Sequence, residues 1–277
     1  LPRIPRPLKT RMLERVYLRD ILRLIEPARD LIARRLLPIL GDLIRSSGLR
    51  SDAERLDDDY AQVIGRTFGQ IRIEYERLVT TEDVTRTAKG AASQTELFNR
   101  QQINRQFKQV LGIDVLHSAS WLQTAMGGFA TENVKLITSI PGRYLDDVEL
   151  LVMRGVRSGM RVEDLAQEIQ DRYPVAESRA ALIARDQIGK FNGQLNALRN
   201  EDLGLSRYRW RNSQDERVRG NPEGKYPDAR PSHWAREGKI YRWSNPPEGG
   251  NPGEAIQCRC WGEPVFEDIL GEEFAVE

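Results

Sequence analysis

AALIARDQIGKFNGQLNALRNEDLGLSRYRWR, residues 180–211, holds the junction on which the fold turns. Ala180, Ala184, Ile188, Phe191, Leu195 and Leu198 recur at steps of four, four, three, four and three, the repeat of one helix face. Arg185, Asp186, Gln187, Asn192 and Asn196 take polar positions between them. Gly204 is a fitting stop, because glycine enters the left-handed geometry of a helix end without a Cβ penalty. Behind it, residues 205–211 alternate as a strand does. This junction predicts a mainly α chain in front and a small α+β module behind.

In front, Pro2, Pro5 and Pro7 interleave with Arg3, Arg6 and Lys9, so residues 1–10 read as an extended, basic, polyproline-like arm. Such an arm has no core of its own and is either mobile or laid on a partner. A helical region is predicted over 11–127. Its first stretch carries Leu13, Val16, Ile21, Leu24, Ala28, Leu31, Leu36, Ile39 and Leu43, with Pro27 and Pro38 expected to kink or break it. A second amphipathic stretch covers 52–78. A third, 81–111, is polar nearly all round, with Gln94, Asn99, Gln102 and Gln106, which suits a helix that bridges elements or meets another chain. His117 reads as an ordinary helix residue. Gly127-Gly128 is the best internal boundary. Helices are then predicted over 131–139, stopped by Pro141, over 145–157, and over 161–172, closed by Pro174.

Behind Gly204, seven of the 14 prolines and four of the five tryptophans lie before Phe266. Disordered segments are poor in aromatics, so residues 204–266 form a compact, loop-rich module. A helical segment over 131–200 precedes it, and together they fill 128–266. The stretch 267–277 is an acidic tail.

The 277 residues can bury a real core. Net charge is +1, which excludes a global attraction to nucleic acid or membrane, but the charge is uneven. Residues 1–50 hold twelve Lys/Arg against five Asp/Glu, and residues 204–243 hold ten against five. Such segments can meet a charged partner locally, or be no more than solvated helix faces. No apolar run reaches the ~20 residues of a membrane span, and no signal-type core follows the basic start. With two cysteines there is no disulfide scaffold, and the composition suits a reducing cytoplasm.

Those two are Cys258 and Cys260, around Arg259. In extended chain, i and i+2 share a face. A disulfide between them would close a tight, strained ring. Thiolates and imidazole are zinc ligands, and His233 lies in the same module with Asp215 as a fourth donor, but no second Cys or Cys-His pair is present. The alternative is packing: two small thiols under the tryptophans, bracing the module while His233 makes a hydrogen bond. No cofactor follows from these residues, and zinc stays open.

QDERVR (214–219), PSHWAREGKIYRW (231–243), NPP (245–247), NPGEAIQCRC (251–260) and EPV (263–265) resemble, in this order, the C-terminal signature of the Mu F-like phage head morphogenesis proteins. The runs 177–210 and 137–160 resemble the helices and strand before that signature, so the likeness covers about 129–266. Asp215, Arg217, Arg219, His233, Gly238, Cys258, Arg259, Cys260 and Pro264 are the signature positions. Some members carry a further Cys-x-x-Cys-like pair after the aspartate. Here that segment reads DERVRGNPEGKYPDARPSH and has none.

The resemblance implies a minor capsid protein of a tailed phage that acts in procapsid assembly and binds the portal. Major capsid or scaffold protein and packaged DNA, through the basic arm, are further partners it allows. It places the protein in the virion head near the portal, after assembly in the host cytoplasm. The rival reading is a metal-dependent nuclease or a transferase built on His233, Asp215, Glu237 and Arg219 as base, metal carboxylate and phosphate clamp. No Walker loop, Gly-x-Ser-x-Gly elbow or His-Glu-x-x-His supports it, and the expectation is a protein that is not an enzyme.

Overall fold

The computed structural model describes residues 4–48, 53–115 and 119–270. The fold is mainly α with a small α+β module at its C-terminal end, as the junction predicts. Its elements are α1 (Arg11–Leu31), a π turn (Ile32–Leu36), a 3-10 turn (Leu37–Ile39), α2 (Leu40–Gly48), α3 (Ala53–Leu78), α4 (Thr81–Leu111), α5 (Leu122–Arg157) and α6 (Val162–Asp202). The strands β1 (Arg207–Arg211), β2 (Ile240–Arg242) and β3 (Trp261–Pro264) follow, then a short α7 (Glu267–Leu270). His117 and the tail beyond Leu270 lie outside the described residues.

Two compact units are present. One comprises residues 16–88 and 131–183, the other 1–15, 89–130 and 184–277. In the first, α1 buries Tyr17, Ile21, Ile25, Ala28 and Leu31, and α3 buries Ile64, Phe68 and Ile71. The Tyr17 hydroxyl donates to Asn133 Oδ1 at 2.7 Å, and that of Tyr75 to the Leu24 carbonyl at 2.8 Å. Arg72 donates to both Asp146 and Glu149 at 2.7 Å.

The prolines are weaker stops than their chemistry suggests. Pro27 lies inside α1, Pro141 inside α5 and Pro174 inside α6, and none ends its helix. Each removes one backbone hydrogen bond, a cost of about 3 kcal/mol. The apolar stripe on either side offsets it: Ile137, Ile140, Tyr144 and Leu145 are buried around Pro141, and Ile169, Tyr173, Ala176 and Ala180 around Pro174. Only at Pro38 does the helix deform, and there it passes through the π and 3-10 turns before resuming. Gly127-Gly128 likewise lies within continuous α5.

In the second unit, α4 puts its polar side chains to internal use. Asn99 and Gln106 are buried, at 2% and 4% exposure. Asn99 donates to Asn192 at 3.1 Å. Gln102 accepts from the Leu8 backbone at 2.6 Å and donates back to the Leu8 carbonyl at 3.3 Å, and Gln106 donates to the Pro5 carbonyl at 3.3 Å. The described part of the basic arm is thus laid along α4 of its own chain. Proline-rich extended backbone makes no internal hydrogen bonds, and the amides of α4 supply them. Ile4 packs on the cluster of Ile103, Phe107, Leu205 and Phe266.

The sheet has the order β2-β1-β3 and is antiparallel throughout. Along β1, Tyr208 and Trp210 face inward, with Tyr208 against Trp243 at 4.1 Å, while Arg207, Arg209 and Arg211 alternate on the other face. Arg211 binds Glu263 of β3 through two nitrogens, at 3.1 and 2.9 Å, and reaches Glu237 at 3.2 Å.

Candidate functional site

The extended run into β3 brings both sulfurs to one side, as the i, i+2 spacing predicts. Cys258 Sγ and Cys260 Sγ each lie 3.5 Å from His233 Nδ1. Three features of the sequence hold this run in place. Gly189 and Gly193 leave a notch on α6: a Cβ at Gly193 would stand 2.8 Å from the Pro252 carbonyl oxygen, and Gly253 lies with its Cα against it. Asp186 accepts from the Gln257 amide at 2.8 Å, at a residue whose φ is 56°, and so fixes the turn before Cys258. Arg219 donates to the Ile256 carbonyl at 3.2 Å.

His233 arrives from the other side. Its ring is edge-on to Trp210 at 5.2 Å, and the following Trp234 amide donates to the Arg219 carbonyl at 3.0 Å. Ser232 Oγ caps the short 3-10 turn by accepting from Ala235 at 3.1 Å. His233 is 3% exposed, and its Nε2 is buried without a hydrogen-bond partner among the described residues. Hydrogen bonding with the Cys260 thiol, then with the His233 ring, holds Cys258 well below the ordinary thiol range against the opposing effect of burial. The same shared bond and burial push Cys260 well above it.

Both thiols lie on the wall of a cavity of about 880 Å³ within this unit. Arm residues Arg6, Lys9 and Arg11 line it, together with Asn192 and Asn196 of α6 and the arginine face of β1. Seven Arg/Lys residues line it against four carboxylates, Glu14, Asp215, Glu237 and Glu263, so the lining has an excess of positive charge.

The remaining signature residues form a frame around the thiols. Asp215 is not in their donor cluster, although it lines the same cavity: it accepts from the Arg217 amide at 2.9 Å and stands 3.7 Å from Arg259. Arg217 pairs loosely with the same carboxylate at 3.6 Å. Gly238, at φ +77°, makes the turn into β2, and its amide donates to the Trp210 carbonyl at 2.8 Å. Pro264 closes β3 opposite Tyr208. Glu237 is engaged with Arg211 and with the Asn212 amide, at 2.6 Å. The base, carboxylates and clamp of the enzymatic reading are therefore spread over separate contacts, and among the described residues only His233, Cys258 and Cys260 cluster as metal-type donors. Sequence reasoning missed Gly189 and Gly193. Their spacing of four on one helix face was the available signal.

Comparison with known proteins agrees with the module's outline. The sequence is 33% identical over 198 residues to an uncharacterized protein of Haemophilus influenzae, a stretch that covers 70% of this chain and 42% of that relative. The chain thus spans less than half the length of the relative it matches. No solved structure matches it. Residues 146–262, from the second half of α5 into β3, match the family described as Phage Mu protein F like protein.

Proposed function

We propose that the protein is a minor structural component of a tailed-phage head that acts in head morphogenesis by docking on the portal. The observation that carries this reading is the Mu F-like match over 146–262, which takes in α6, β1, β2, the start of β3 and the residues His233, Cys258 and Cys260. The architecture supports it. Long helices dominate, the signature residues brace one another, and Asp215 and Glu237 are each engaged by arginine and a backbone amide and not poised beside His233. On this reading the protein sits in the virion head close to the portal and meets capsid or scaffold protein during assembly.

Two measurements test it. Co-expression with the portal protein of the same phage should yield a complex that survives size exclusion, and imaging heads without imposed icosahedral symmetry should place density for the chain beside the portal. Absence from purified particles overturns the reading. Metal-dependent hydrolysis or group transfer by the purified chain, lost in a folded His233→Ala variant, replaces it with the enzymatic one.

A further inference from the structure

We propose that His233, Cys258 and Cys260 bind a divalent metal ion of the zinc type, with three ligands from the chain and a fourth supplied from the cleft. The inference does not depend on the head role. Its first support is distance. Around a tetrahedral zinc with bonds of about 2.3 Å to sulfur and about 2.05 Å to nitrogen, a nitrogen and a sulfur ligand stand about 3.6 Å apart. His233 Nδ1 stands 3.5 Å from each sulfur, and the three donor atoms lie within 4.8 Å of one another.

The second support is symmetry of approach. A ring nitrogen offers one lone pair or one proton, so a simple hydrogen bond satisfies one thiol and leaves the other further off. Equal distances from one nitrogen to two sulfurs suit a shared ion.

The third is position. The imidazole is buried behind the sulfurs, while both thiols are half-buried and line the cavity, so the remaining tetrahedral position faces the cleft. Among the described residues no fourth Cys, His, Asp or Glu donor joins the cluster. Asp215 is committed to Arg259 and the Arg217 amide. Three protein ligands with a free position make an open centre, unlike the closed four-ligand type that only staples a fold. The excess of Arg and Lys over the four carboxylates on the same cavity wall favours an anion there. On binding, both sulfurs coordinate as thiolates, the protons they carry pass to solvent, and His233 coordinates neutral through Nδ1 with its proton on Nε2.

The test uses the full chain, reduced, stripped with chelator and titrated with Co²⁺ and then Zn²⁺. One equivalent of Co²⁺ should produce thiolate-to-metal charge transfer in the near ultraviolet and the intense visible bands of tetrahedral cobalt, and Zn²⁺ should abolish both. His233→Asn, Cys258→Ser and Cys260→Ser should each weaken binding about tenfold or more, and Asp215→Asn should leave it unchanged. Azide should shift the visible bands without changing the stoichiometry; bands that ignore azide overturn the open position. Absence of cobalt bands overturns the site. Should the ligand variants fail to fold, wild-type chain decides the matter: Zn²⁺ should protect both thiols from alkylation, and unchanged alkylation overturns the proposal.

Discussion

A single missing side chain sets the position of the thiol run. Gly193 lets the loop at Pro252–Gly253 lie directly on α6, and a methyl group there would meet a backbone oxygen at 2.8 Å, which cannot yield as a side-chain tip can. Gly193→Ala should therefore cost about 1–3 kcal/mol of stability, read by urea denaturation, and should raise the alkylation rate of Cys258 as the run lifts. Arg199 makes a different point. It is buried beside Glu96, with Nη2 2.6 Å from Oε1, and burial lowers its pKa below the ordinary guanidinium value. Removing one partner of a buried pair strands the other charge, so Glu96→Gln should destabilise the protein by about 3 kcal/mol. A loss as small as that of a surface carboxylate would show that water reaches the guanidinium.

Among the elements, α4 has the most explicit start. Thr80 Oγ1 accepts from the Asp83 amide at 3.2 Å, while Asp83 Oδ2 accepts from the Thr80 amide at 3.1 Å and the Thr80 hydroxyl at 2.6 Å, a reciprocal cap. Thr80→Ala should cost about 1 kcal/mol. The Thr80 hydroxyl, then its amide, and also Arg86 lower the Asp83 pKa. A lowered folded pKa means the carboxylate stabilises the fold above the unfolded value of about 3.9 and loses that effect as pH falls through the lower folded value. The stability difference between wild type and Asp83→Asn should thus be present at neutral pH and vanish in acid.

The elements also show what was legible in advance. The stripe from Ala180 to Leu198, the stop at Gly204 and the alternation of β1 are local patterns, and the structure bears them out. The convergence of Cys258 and Cys260 followed from backbone pleating alone. Prolines 27, 141 and 174 misled because a helix is judged by the apolar surface it buries on both sides of the proline, and that sum is made in three dimensions. The use of Gln102 and Gln106 was illegible for a related reason: their partners are backbone atoms some hundred residues away. His233 could be named in the sequence, but not its equal approach to two sulfurs.

For the whole molecule, charge distribution carries the prediction. Residues 1–50 have seven more bases than acids while the chain nets +1, so any contact with packaged DNA through this end would be made by phosphate neutralisation. Retention of a labelled duplex by the purified chain should be measurable at low salt and fall steeply as salt rises. Retention that survives high salt, or none at low salt, removes DNA from the partners proposed.

The strap formed by residues 4–11 lies along the same cavity that Cys258 and Cys260 line, and two glutamine amides tether its backbone. A polypeptide that outcompeted the strap for Gln102 and Gln106 would remove one wall of that cavity. On the head reading proposed above, a partner that took hold of the chain's front end would thereby reshape the wall of the cavity that Cys258 and Cys260 also line.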